Sequence, residues 1–125
     1  MEPQQPDRIL AADRRVDETV ARFTREVVLS GRHAEAAGTE LQALLAESGA
    51  RPLLVDFGNV RGLTSIMLGK LIALNRAAES NGGRLGLFNL APDVRAILDV
   101  TRLNLILRLY DDETDALQGP RPAGE

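Results

Sequence analysis

The residues able to do chemistry are few. There is no cysteine and a single histidine, His33, so cysteine-based metal, redox or disulfide chemistry is excluded and no zinc site can be assembled. Gly62 and the pair Gly69-Lys70 stand between a predicted strand and a predicted helix, as a phosphate-binding loop would. Six residues rather than four separate the glycines, and Leu71 occupies the place of the magnesium-binding Ser or Thr, so neither the backbone cradle nor the metal ligand is present. Asp56 lies at the end of a predicted central strand, as a phospho-accepting aspartate would, but the only lysine, Lys70, falls inside a helix rather than at the end of a last strand. His33 has no serine of the nucleophile-elbow type near it. The acids Asp111-Asp112-Glu113 sit at the start of a helix, where the dipole accounts for them without acid–base work. The hydroxyls of Thr64 and Ser65 remain, at the start of another helix, where capping is their simplest use. No catalytic residue, metal or cofactor is expected.

The elements that must position these residues follow from periodicity. Thr19 to Phe23 and Glu26 to Leu29 read as two short strands or one interrupted strand, and His33 to Glu47 as an amphipathic helix with Ser30 as cap and Gly49 as stop. Leu53 to Phe57 is a continuous apolar run between Pro52 and Gly58-Asn59, the pattern of a strand buried on both faces. A helix capped at Thr64 or Ser65 runs to Ser80, then a strand from Leu85 to Phe88. Pro92 opens a third helix, Ile106 to Tyr110 forms a last strand, and a short helix from Asp111 or Asp112 ends at Leu117. The alternation predicts one α/β domain over residues 14–118, with a mostly parallel sheet of four to five strands and about four helices. Residues 1–13 and 119–125, rich in Pro, Gly and charge, read as disordered tails.

Composition narrows the function. The chain has 18 acidic and 15 basic residues, a net charge of -3, so it lacks the field that holds proteins on nucleic acid. Three Phe, one Tyr and no Trp leave little for base stacking. No apolar run reaches the ~20 residues of a spanning helix, so a cytoplasmic protein without membrane insertion is expected.

The block Leu53-Leu54-Val55-Asp56-Phe57, Asn59-Val60, Leu63-Thr64-Ser65 and Leu68-Gly69-Lys70-Leu71-Ile72 resembles the centre of the STAS domain of anti-sigma factor antagonists. Gly82-Gly83-Arg84-Leu85, Asn89-Leu90-Ala91-Pro92, Thr101-Arg102-Leu103 and Asp111-Asp112-Glu113 follow in that family's order. The resemblance places Ser65 at the serine that a partner kinase phosphorylates, with Thr64 as the alternative hydroxyl; Thr64, Ile66 and Met67 stand where the family's loop has Asp, Ser and Gly. It implies a non-enzymatic interaction module that binds an anti-sigma factor or a GHKL-type serine kinase, is reset by a serine phosphatase, and can form a homodimer. The implied contact residues are Asn59, Gly62, Thr64, Ser65, Ile66, Met67 and Leu74. Because the helix from Ile66 to Ala78 is apolar on more than one face, two readings stand side by side: Leu68, Leu71 and Ile72 serve the core while Met67, Leu74 and Ala78 form an exposed patch for a partner or a second copy, or the whole helix is buried deeply in its own domain. Two other uses stay open: a constitutive scaffold, stressosome-like or a lipid-transport accessory, and a sensor that holds a small anion or nucleotide in the loop from Gly58 to Ser65.

Overall fold

The computed structural model describes residues 8–119. Its elements are β1 (Leu10–Arg14), β2 (Thr19–Phe23), β3 (Val27–Leu29), α1 (Gly31–Ser48), β4 (Leu53–Asp56), β5 (Val60–Leu63), α2 (Ser65–Ser80), β6 (Leu85–Phe88), α3 (Pro92–Val100), a 3-10 turn (Leu103–Leu105), β7 (Arg108–Tyr110) and α4 (Glu113–Leu117). Five strands form one sheet in the order β1-β2-β4-β6-β7, antiparallel only between β1 and β2, and β3 pairs with β5 in a second, parallel ribbon. The α/β class, the mostly parallel sheet and four α-helices agree with the sequence-based expectation.

The central position of β4 follows from its residues. Leu53, Leu54 and Val55 are all fully buried, so one face must meet each of two layers. Leu53 and Val55 join β6 residues Leu85 and Leu87 beneath α1 and α2, in a core that includes Leu41, Leu45, Met67 and Leu71. Leu54 faces the other way, into a smaller cluster with Val20, Phe88, Tyr110 and the α4 residue Ala116. A helix of only five residues helps close that side. It is fixed by Asp112, whose carboxylate accepts the Asp115 amide at 2.8 Å, and by ion pairs from Arg15 and Arg22 to Glu113. The acidic run at 111–113 thus serves a helix start and a tie across the sheet.

Three expectations need correction. Leu10 to Asp13, assigned to a tail, belong to β1, whose Leu10 side chain is buried in the main core. Residues 1–7 and 120–125 of the expected tails lie outside the described residues. The expected loop from Gly58 to Ser65 contains β5, which hydrogen-bonds only with β3, itself more than 30 residues earlier in the chain. Local periodicity cannot announce a strand whose partner is that distant and whose own sequence is Val-Arg-Gly-Leu. The last strand is also shorter than expected, because Ile106 is exposed and Leu107 ends the preceding turn.

Gly86 on β6 is required by the outer layer. A Cβ there would lie 2.8 Å from Cε2 of Tyr110 and 2.9 Å from Cδ2 of Leu54, closer than carbon atoms approach. The Tyr110 ring therefore uses the space above this residue. Gly86→Ala is expected to lower stability by about 1–3 kcal/mol through overpacking, read as a fall in the urea midpoint with an unchanged slope; an unchanged midpoint would show that the ring is free to move.

Candidate functional site

The site is assembled where β4 leaves the sheet. Asp56 is the last residue of β4, and its carboxylate accepts three hydrogen bonds: Arg22 Nη1 from β2 at 2.9 Å, the Gly58 amide at 2.8 Å, and Asn89 Nδ2 from the β6–α3 loop at 3.2 Å. Asn89 has φ 60, a left-handed conformation that asparagine tolerates better than most residues. Arg22 also donates to Glu113 at 2.7 Å, and that bond is the main reason its guanidinium pKa is raised, with Asp56 adding to it against a lowering from burial. These groups line a cup of about 280 Å³ at Arg22, Phe23, Asp56, Gly58, Asn59 and Asn89. An anion entering the cup would meet the Asp56 carboxylate, and the one cation lining it already serves two carboxylates.

The turn that Asp56 fixes leads to the exposed rim. The Val60 amide bonds to Phe57 O at 2.9 Å, and Asn59 Nδ2 donates to Phe23 O at 2.8 Å, tying the turn to the end of β2. The Val27 amide then bonds to Asn59 O, which starts the β3–β5 pairing. At the far end of that ribbon the Thr64 amide bonds to Leu29 O at 3.2 Å, and α2 begins at the next residue. Thr64 is the helix N-cap by position, with φ -100 and ψ 169, yet its hydroxyl lies 3.4 Å from Leu29 O and does not cap the helix. The first turn of α2 therefore lacks side-chain capping.

Ser65 is exposed at this helix start, and Ile66 beside it is 65% exposed. Val28 on β3 is also exposed, and it lies next to Gly62, where a Cβ would meet Val28 Cγ1 at 3.8 Å. Arg61 on β5 pairs with Glu26 at 2.7 Å and draws that carboxyl below its ordinary range through the hydrogen bond between them. The rim thus exposes one serine hydroxyl and two apolar side chains on the helix start and the ribbon that leads to it, with Arg61 and Glu26 neutralising each other on that ribbon. Asn59, Gly62 and Thr64 are half-buried and hold the backbone of this rim.

On α2 Leu71 is buried as expected, but the expectation of an exposed patch at Met67, Leu74 and Ala78 needs correction. Met67, Leu74 and Ala78 are buried at 0%, 6% and 1% exposure, while Leu68 and Ile72 are only partly covered. The sequence could not separate them, since apolar residues on both sides of a helix give no preferred direction. Met67 and Leu74 are core residues, so an exposed contact surface is built from Ser65, Ile66 and Val28 instead. Sequence reasoning missed Val28, whose only signal was an apolar residue at the middle of a three-residue strand. It also missed Arg22 and Asn89, which meet Asp56 only in the fold.

Among the described residues no group of three or more His, Cys, Asp and Glu side chains could hold a metal ion. No helix of the described residues is long and apolar enough to cross a membrane. A family model described as Mlab, STAS domain, matches residues 21–108. No curated protein matches the chain. An anti-sigma-factor antagonist (STAS) domain protein from Planctomyces limnophilus has a TM-score of 0.76 at 18% identity, covering 87% of this chain and 95% of that one. An anti-sigma factor antagonist from Mycobacterium paratuberculosis has a TM-score of 0.75 at 23% identity, over 87% of this chain and 90% of that one. The Bacillus cell fate determinant SpoIIAA in its phosphorylated form has a TM-score of 0.63 at 16% identity, over 87% of this chain and 96% of that one.

The split within the first turn of α2 is directly testable. Met67→Ala should cost about 2–5 kcal/mol of stability as a core truncation, whereas Ile66→Glu should stay within about 0.5 kcal/mol as a surface change. Urea denaturation of both variants distinguishes them. Equal losses would mean that Ile66 is also packed in solution.

Proposed function

The chain belongs to the STAS domain family, and from that premise we propose that it is a non-catalytic regulatory module that binds an anti-sigma factor or serine kinase through the rim at the start of α2. Phosphorylation of Ser65 releases the partner, and a serine phosphatase resets the module. One observation carries this reading: an exposed serine hydroxyl stands at the first turn of a helix without side-chain capping, next in the chain to the exposed Ile66, and the β3–β5 ribbon that leads into this helix exposes Val28.

The physics of the switch needs no rearrangement of the fold. A phosphate adds about -1.5 to -2 charges, and in an apolar contact it would have to be desolvated without a partner. In the free protein the same group lies at the positive end of the helix dipole, beside backbone amides that no side chain caps. The modification thus penalises the complex far more than the free domain. Ser65 suits this role better than Thr64, whose side chain is half-buried and turned toward Leu29 O. That the fold accommodates such a modification is supported by the phosphorylated form of SpoIIAA, to which this chain is similar.

Peptide mapping of the protein from its own cells should find phosphate on the segment that contains Ser65. Calorimetric titration with the serine kinase that phosphorylates the chain should give tight binding for Ser65→Ala and at least about tenfold weaker binding, or 1.4 kcal/mol, for Ser65→Asp. Both variants should melt like the parent. Equal affinities would exclude Ser65 as the switch, and a chain never phosphorylated under any growth condition would leave a constitutive scaffold as the function.

A further inference from the structure

Charge at the corner that carries Ser65 is one-sided. The β3–β5 ribbon and the two helices that leave it meet there. Thr64 bonds to Leu29 O and Lys70 to Glu35, each across 35 positions of sequence, so α1 and α2 run side by side in the same direction with their starts level. Neither start carries an acid in its first turn or a side-chain cap. The acids nearest to them are already held, Glu26 by Arg61 at 2.7 Å and Glu35 by Lys70 at 3.0 Å. On α3, which packs against β5, Asp99 is paired with Arg95 and Asp93 lies in the first turn of its own helix.

The cations are not balanced in this way. Arg25 and Arg32, exposed before and after β3, have no carboxylate partner among the described residues. Arg32 lies in the first turn of α1, at the positive end of the helix dipole, where a cation is disfavoured and an acid would stabilise. Arg76, exposed about three turns beyond Ser65 on the same face of α2, extends the positive surface along the helix. The chain as a whole carries -3, so this corner stands against the sign of the molecule. A placement that helix stability alone disfavours points to a use outside the fold.

We infer, resting on the reading of the Ser65 rim as the regulatory contact, that the partner presents an acidic surface to it, with carboxylates at Arg25 and Arg32 and an apolar part over Val28 and Ile66. No more than about 25 Å of extended chain separates the two arginines, a span that fits within a standard interface of about 800 Å² on each partner. Guanidinium groups suit this place because each can meet a carboxylate with two N–H groups at once. Opposite charge across the contact speeds encounter and excludes partners of the wrong sign. A phosphate on Ser65 then acts twice. It sets its negative charge against the partner's carboxylates, and it takes up the field of Arg32 and of the two helix starts that draws those carboxylates in.

The test uses the full chain and the serine kinase that phosphorylates it, with ADP in place of ATP so that no phosphoryl group is transferred. Stopped-flow association is measured at about 0.05 M and about 0.5 M salt. The parent should associate at least about tenfold more slowly at the higher salt. The double variant Arg25→Glu/Arg32→Glu should associate at least about tenfold more slowly than the parent at the lower salt, and its rate should change little with salt. Arg25→Gln/Arg32→Gln should fall between them. Both variants should melt like the parent, since neither arginine has a partner to lose among the described residues. Should the glutamate pair fail to fold, the glutamine pair decides. Association of the parent that ignores salt, or equal rates for parent and variants, overturns the inference and leaves the rim as the contact. A parent that binds no kinase overturns the rim and the inference together. Vesicles of phosphatidylglycerol that hold the parent but not the glutamate pair, with kinase binding unmoved by the substitutions, overturn it in favour of an anionic membrane.

Discussion

The Asp56 carboxylate is the interaction on which the working end of this domain depends. It sits at the end of the central strand and holds β2 through Arg22, its own following turn through the Gly58 amide, and the β6–α3 loop through Asn89. Three strand ends are thereby fixed around one group. An ionised acceptor makes such bonds shorter and stronger than neutral ones, although Arg22 is partly exposed and its pairing is weakened by water and salt. The geometric effect is larger than the energetic one. With the turn at Phe57 to Val60 fixed, Asn59 reaches Phe23 O, β5 lies beside β3, and Thr64 meets Leu29 at the point where α2 must begin.

The two sides of the sheet solve the burial of β4 differently. One side carries a thick core under α1 and α2, where aliphatic side chains interdigitate. The other must be covered by a five-residue helix, too short to be stable by itself. It holds because its start is tied by charge, through the Asp112 cap and the Glu113 ion pairs, and because Tyr110 packs closely against Gly86. Arg22 belongs to both arrangements, since it bridges Asp56 and Glu113. The cover of the outer face and the shape of the site share one guanidinium.

Much of this was legible because most elements carry their own signal. The apolar run at Leu53 to Val55, the Ser30 and Gly49 bounds of α1, and Pro92 at the start of α3 each follow from local chemistry. What was not legible depends on distant partners. β5 is a strand only because β3 lies beside it, and β1 is a short Leu-Ala-Ala-Asp-Arg segment whose one buried side chain, Leu10, gives no period. The Asp56 cluster joins residues 33 and 34 positions apart, each unremarkable where it stands. For α2 the difficulty was of another kind: both stripes are apolar, and the choice between them is made by the sheet beneath rather than by the helix.

That choice explains how a single helical turn can both anchor and display. Successive residues in an α-helix point about 100° apart, so Met67 can be fully buried while Ser65 and Ile66, two positions and one position earlier, remain in solvent. The core contact of Met67 fixes the rotation of the helix and hence the direction in which Ser65 faces. A charge added at Ser65 meets water and the helix end, whereas a charge added at Met67 would meet Leu71-type core packing. The domain can accept modification at this point because the boundary between core and surface passes between adjacent side chains, and a partner lying on that surface would feel the full change.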